Sequence, residues 1–85
     1  MLQITDPAAR TLKRTLLEVS EVEEPRFRLG IVKGAIKFAV DRERPGDTTV
    51  EHRGESLIVM DPVTSTRLSD RELDYDEDCC RMVVR

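Results

Sequence analysis

The spacing of apolar residues near the start of the chain predicts one amphipathic helix. Asp6 and Pro7 form a helix-start signal, because aspartate caps free N–H groups and proline is tolerated in the first helical turn. Apolar residues then recur at helical spacing, and charged residues fill the opposite face. We therefore expect a helix that begins at an Asp6 cap and ends near Ser20. Its apolar stripe comprises Ala8, Ala9, Leu12, Leu16 and Val19.

Most of the remaining chain alternates between apolar and polar residues, which predicts β-strands. Two antiparallel hairpins are expected, one turning at Lys33-Gly34 and the other at Arg53-Gly54. The segment 57–60 is apolar on both faces and should lie centrally in a sheet. The predicted strands are 3–5, 26–32, 36–41, 48–52, 55–60, 72–75 and 79–84.

Asp61-Pro62 repeats the helix-start signal and predicts a short second helix that runs through Leu68. The order of elements predicts an α+β fold with a hairpin-rich mixed β-sheet, one amphipathic N-terminal helix and one short second helix. A chain of 85 residues is long enough for one domain, which we expect to span residues 1–85.

Composition indicates which of three kinds of partner, nucleic acid, membrane or protein, the chain is expected to bind. The net charge is −3 with acids and bases interleaved, and aromatic residues make up 4% of the chain, with no Trp. These features argue against nucleic acid as a partner. Neither a run of about 18 apolar residues nor a secretory signal is visible, so we expect no membrane association and a cytoplasmic location. A small core favours a protein partner, with a homodimer as one form of it.

Cys79 and Cys80 are the candidate metal ligands. Adjacent Cα atoms lie about 3.8 Å apart, whereas ordinary disulfides need about 4.4–6.8 Å, so two free thiols are the simpler interpretation. On the predicted last strand the two side chains would point to opposite faces, which is poor geometry for one ion within one chain. A site shared across a dimer is the alternative.

Other reactive groups do not form a recognised catalytic motif. His52 is the only histidine, and no serine lies in a G-x-S-x-G setting. The acidic residues Asp74, Asp76, Glu77 and Asp78 lack the spacing of a calcium loop, and the glycines form no phosphate loop. We interpret the acidic residues as a charged sheet edge and predict that the protein is not an enzyme.

Several segments, in order, resemble the A-type iron–sulfur carrier family, the HesB-like domain. Residues 4–9 are similar to the start of the family's first helix, and residues 27–34 to its first core strand and the glycine-rich loop that follows. Residues 45–54 are the closest match. Residues 57–62 and 68–75 resemble the next stretches of the family. The resemblance implies a HesB-like fold and an association with iron–sulfur cluster biogenesis.

The resemblance also implies where cysteines would be expected. The family has one cysteine in the glycine-rich loop and a C-x-C pair further on, and these thiolates hold iron or an iron–sulfur cluster. The corresponding loop here, 33–37, contains no cysteine, and Cys79-Cys80 does not match the C-x-C pair. The leading hypothesis is therefore an accessory module that binds a protein partner without a cofactor. The alternative is a carrier that holds iron or an iron–sulfur cluster through Cys79 and Cys80 of two subunits.

Overall fold

The computed structural model describes residues 1–19 and 21–85. These residues form helices and strands in the α+β order that the sequence predicts. The helices are α1, Asp6–Glu18, and α2, Pro62–Arg67. The strands are β1, Gln3–Ile4; β2, Arg26–Val32; β3, Ala35–Asp41; β4, Thr48–His52; β5, Glu55–Met60; β6, Glu72–Asp76; and β7, Arg81–Val84.

The strands divide between two mixed sheets. The larger has the order β3-β2-β5-β4, in which β2 pairs parallel with β5 and each of these strands pairs with its own hairpin partner. The smaller has the order β1-β6-β7, with β1 parallel to β6. Both predicted hairpins and the central place of β5 are confirmed. The division into two sheets depends on long-range pairing, which local alternation does not reveal.

One hydrophobic core joins α1 to both sheets. It includes Leu12 of α1, Leu29 of β2 and Leu73 of β6, each almost fully buried. Leu57 and Ile58 are neighbours in sequence, yet both belong to this core. The register between β4 and β5 shifts after Val50, and such a shift can turn two successive side chains toward one face.

The start of α1 differs from the prediction by one residue. Thr5, not Asp6, is the N-cap, and its hydroxyl oxygen accepts the N–H of Ala8 at 3.3 Å. Asp6 is the first helical residue, and its carboxylate binds His52 and Arg53 instead. The predicted apolar stripe is confirmed for Ala8, Ala9, Leu12 and Leu16, which are buried. The last helical residue is Glu18, and the predicted end near Ser20 lies outside the described residues.

The start of the last strand was also predicted wrongly. β7 begins at Arg81, so Cys79 and Cys80 lie in the turn between β6 and β7 and not on a strand. Cys80 has a positive φ of 53°. The prediction that the two thiols point to opposite faces of a sheet is therefore wrong, because neither residue lies on a strand. Of the helices described, neither has the length and apolarity needed to cross a bilayer.

Candidate functional site

The two cysteines lie in a turn that is held by Asp76. Its Oδ1 atom accepts the backbone N–H groups of Asp78 at 3.0 Å and of Cys79 at 3.2 Å. The hydrogen bond from Cys79 is the main reason that the pKa of Asp76 lies below its ordinary value. Asp76 therefore has a structural role in presenting the cysteines. Both cysteines are free and exposed.

Cys80 also lines a groove of about 480 Å³ between α1 and the two hairpins β2–β3 and β6–β7. We call it the Cys80 groove. The Cys80 thiol lies beside the Tyr75 hydroxyl, and burial together with this thiol raises the pKa of Tyr75. Cys79 does not line the groove, so the two thiols face different surroundings. The main apolar lining is Leu12, Phe27, Phe38 and Met82.

One chain does not supply a complete metal centre within residues 1–19 and 21–85. No group of three or more His, Cys, Asp or Glu side chains is placed there to hold a metal ion. An iron–sulfur cluster commonly takes four thiolates, and Cys79 and Cys80 are the two that the sequence contains. One copy of these residues therefore supplies two of four such thiolates.

The turn between β2 and β3 is short. Val32 pairs directly with Ala35, which leaves Lys33 and Gly34 as the two turn residues. Both have positive φ values, 52° and 79°, as a two-residue hairpin turn of type I′ requires. A turn this short offers little backbone for a ligand loop, and it contains no thiol.

A second cleft lies between α1 and the β4–β5 hairpin. Asp6 joins the two elements, because one of its oxygens lies 2.7 Å from His52 Nε2 and the other accepts from Arg53 at 3.1 Å. His52 thus has a definite partner that the sequence analysis missed. Forty-six positions separate it from Asp6, and no local pattern reports such a contact.

Arg28 is the centre of a second polar cluster that the sequence analysis missed. Its guanidinium donates to Asp41 at 2.8 Å and to both oxygens of Asp47, at 3.0 and 2.6 Å. These hydrogen bonds lower the pKa of each aspartate and raise the pKa of Arg28. Arg28 therefore ties β2 to the segment between β3 and β4. The only sequence signal was its place on the polar face of β2.

Comparison with known proteins gives solved structures of the same fold. No protein-family model matches the sequence, and no curated protein shows a significant match. A solution structure of a protein from Aquifex aeolicus is 26% identical with a TM-score of 0.67, covering 99% of this chain and 89% of that one.

Two further structures carry functional descriptions. SufA from Escherichia coli, described as involved in the biosynthesis of iron–sulfur clusters, is 19% identical with a TM-score of 0.69 and covers 99% of this chain and 81% of its own. IscA, solved with a [2Fe–2S] cluster, is 18% identical with a TM-score of 0.68, covering 100% of this chain and 82% of its own. Over nearly its whole length, this chain has a fold that resembles the HesB-like fold of the A-type iron–sulfur carriers.

Proposed function

We propose that this protein is a non-catalytic binding module associated with iron–sulfur cluster biogenesis, and that it acts through a protein partner without carrying a cluster. The observation that supports the association is the whole-chain likeness to SufA and IscA. A fold alone hosts many functions, so the assignment also needs support from the residues of the site.

The tight β2–β3 turn supports the cluster-free form of the proposal. The sequence resemblance assigns the segment 33–37 to the loop in which the family has a cysteine; this segment contains none, and Lys33 and Gly34 form its tight turn. The two thiols present lie instead in the β6–β7 turn. Free exposed thiols are typical of a reducing compartment, and we therefore propose a cytoplasmic location.

The polar contacts support a non-catalytic role. The His52 ring is hydrogen-bonded to Asp6, and among the described residues no serine, threonine or cysteine lines the cleft that holds this pair. The aspartates with lowered pKa values hold Arg28, cap backbone N–H groups or accept from Thr5, and these are structural roles. Each carboxylate whose pKa is lowered therefore has a structural partner that accounts for the direction of its shift.

The surface for the partner is proposed to lie on the β2–β3 hairpin. β3 is an edge strand, and Phe38 on this strand keeps 38% of its surface exposed beside the Cys80 groove. Phe38 lines this groove together with Phe27 and Met82, and apolar side chains grouped at a surface are typical of interaction sites.

Affinity capture from the source cell, with elemental analysis of the same sample, tests this proposal. The wild type should enrich proteins of iron–sulfur assembly or iron–sulfur clients, and Phe38→Ser should lose most of that enrichment. Leu17→Ser is the matched control, because Leu17 is also exposed and apolar but lies outside the groove. Enrichment that does not change in Phe38→Ser, or that lacks iron–sulfur proteins, would contradict the proposal.

A second candidate function is a carrier of iron or an iron–sulfur cluster across a homodimer. The observation that favours it is the exposure of both Cys79 and Cys80, since two copies would bring four thiolates together. The test is metal analysis of protein purified without chelator, combined with its mass in solution. Copurified iron in a dimer, lost from Cys79→Ser/Cys80→Ser, supports the carrier, and a metal-free monomer contradicts it.

A further inference from the structure

The cleft between α1 and the β4–β5 hairpin has an apolar floor. Its volume is about 320 Å³, which is at the small end of the range for ligand sites. Ala9 and Leu57 line it and are themselves almost fully buried. The floor can therefore pack against the apolar part of a small ligand. None of the residues that line this cleft also lines the Cys80 groove.

The rim of this cleft has an excess of positive charge. Arg10, Lys13 and Arg53 face the two carboxylates Asp6 and Glu55. Each carboxylate is already paired, because Lys13 Nζ lies 2.7 Å from Glu55 and Arg53 lies 3.1 Å from Asp6.

Arg10 is the cation left over. In the part of the chain that the structure describes, no carboxylate lies within ion-pair distance of its guanidinium. A guanidinium presents two parallel N–H donors that match the two oxygens of a carboxylate.

We propose that this cleft binds a small organic carboxylate, with the carboxylate on Arg10 and a short apolar body over Ala9 and Leu57. The apolar floor favours an organic acid over inorganic phosphate, which has no apolar part to cover. The excess of positive charge disfavours an amine of the same shape. This site does not depend on the proposed function, because neither cysteine nor the β2–β3 hairpin takes part.

A titration followed by amide NMR spectra tests the proposal, with sodium benzoate as the probe. Benzoate should give saturable shifts at Ala9 and Leu57, while phosphate and benzylamine at equal ionic strength should not. Arg10→Gln should weaken benzoate binding about tenfold, which corresponds to about 1.4 kcal/mol. Arg67→Gln, an equal loss of charge at an exposed position on α2, should leave binding unchanged.

The assignment would be overturned by shifts that do not saturate, by equal binding of benzylamine, or by equal weakening in Arg10→Gln and Arg67→Gln. The same spectra report whether each variant is folded, so loss of binding can be separated from loss of structure. Saturable shifts by phosphate of the same size would also contradict the role given to the apolar floor.

Discussion

Arg28 shows how a charged residue on the polar face of a strand becomes part of the structure. Its side chain is only 20% exposed, and that of Asp47 is 7% exposed, so their ion pair is shielded from solvent far better than a surface pair. Asp41 completes the cluster at 2.8 Å. Partly buried, multiply hydrogen-bonded ion pairs are costly to break, because the remaining partner keeps an uncompensated charge.

Asp47→Asn should destabilise the protein at pH 7. The variant keeps the shape of the side chain but loses a charge-assisted pair, and we expect the free energy of unfolding to fall by about 1–2 kcal/mol. Asp70→Asn is the control, because Asp70 is exposed and at the surface. Urea denaturation measures both. Equal stabilities of the two variants would show that the Arg28 cluster contributes little.

The ion pair between Arg28 and Asp47 also predicts how the stability of the protein changes with pH. The hydrogen bond from Arg28 lowers the pKa of Asp47 below its ordinary value of 3.8. A carboxylate with a lowered folded-state pKa stabilises the protein fully above the unfolded pKa and loses this contribution as the pH falls through the folded pKa. The stability difference between wild type and Asp47→Asn should therefore shrink below about pH 3.8. A difference that persists undiminished at pH 2 would contradict this explanation.

At the scale of elements, Thr5 joins α1 to the smaller sheet. Its hydroxyl accepts the N–H of Ala8 and donates to Asp74 Oδ1 of β6 at 2.7 Å. This bond is the main reason that the pKa of Asp74 is lowered. One side chain therefore serves as helix cap and as inter-element contact.

Thr5→Ala should lower the free energy of unfolding by about 1–2 kcal/mol, because both the cap and the bond to Asp74 are lost. Thr5→Ser retains the hydroxyl and should recover most of this loss. Thermal denaturation followed by circular dichroism measures the three proteins. If Thr5→Ser is as unstable as Thr5→Ala, the methyl group and not the hydroxyl is responsible.

Local patterns predicted the elements well and their ends less well. The predicted bounds of β2 and β4 agree with the structure, because a period of two is forced wherever one face of a strand is buried. The bounds of β5 also agree, but its apolar run on both faces reflects its central place in the sheet. The start of β7 does not agree. The two cysteines are apolar enough to be predicted as the start of the strand that contains Met82. In the structure, however, the Asp76 carboxylate accepts the backbone N–H of Cys79 and holds this residue in a turn. The pattern of hydropathy does not show that a side-chain carboxylate competes with the neighbouring strand for the N–H group of Cys79.

At the scale of the whole molecule, the candidate sites depended on contacts that no local pattern contains. The Cys80 groove lies between α1 and two hairpins, and the second cleft lies between α1 and the β4–β5 hairpin. The sequence contained the cysteines, His52 and the resemblance to the carriers. The sequence could not show that Asp6 contacts His52 or that Cys80 lies beside Tyr75, because both contacts arise from tertiary packing.

The shared hydrophobic core predicts that the two sheets unfold together. Ile58 of the larger sheet and Leu73 of the smaller one belong to the same hydrophobic cluster. We therefore propose that residues 1–85 fold as one domain, and the amide signals of Ile58 and Leu73 should be lost at the same urea concentration. Two separate midpoints would show that the sheets unfold independently.

The measurement that tests the central claim most directly is anaerobic reconstitution with iron and sulfide. The wild-type protein should retain no visible chromophore after desalting, and its spectrum should match that of Cys79→Ser/Cys80→Ser. A stable chromophore in the wild type that is lost from the double variant would contradict the cluster-free account and establish Cys79 and Cys80 as cluster ligands.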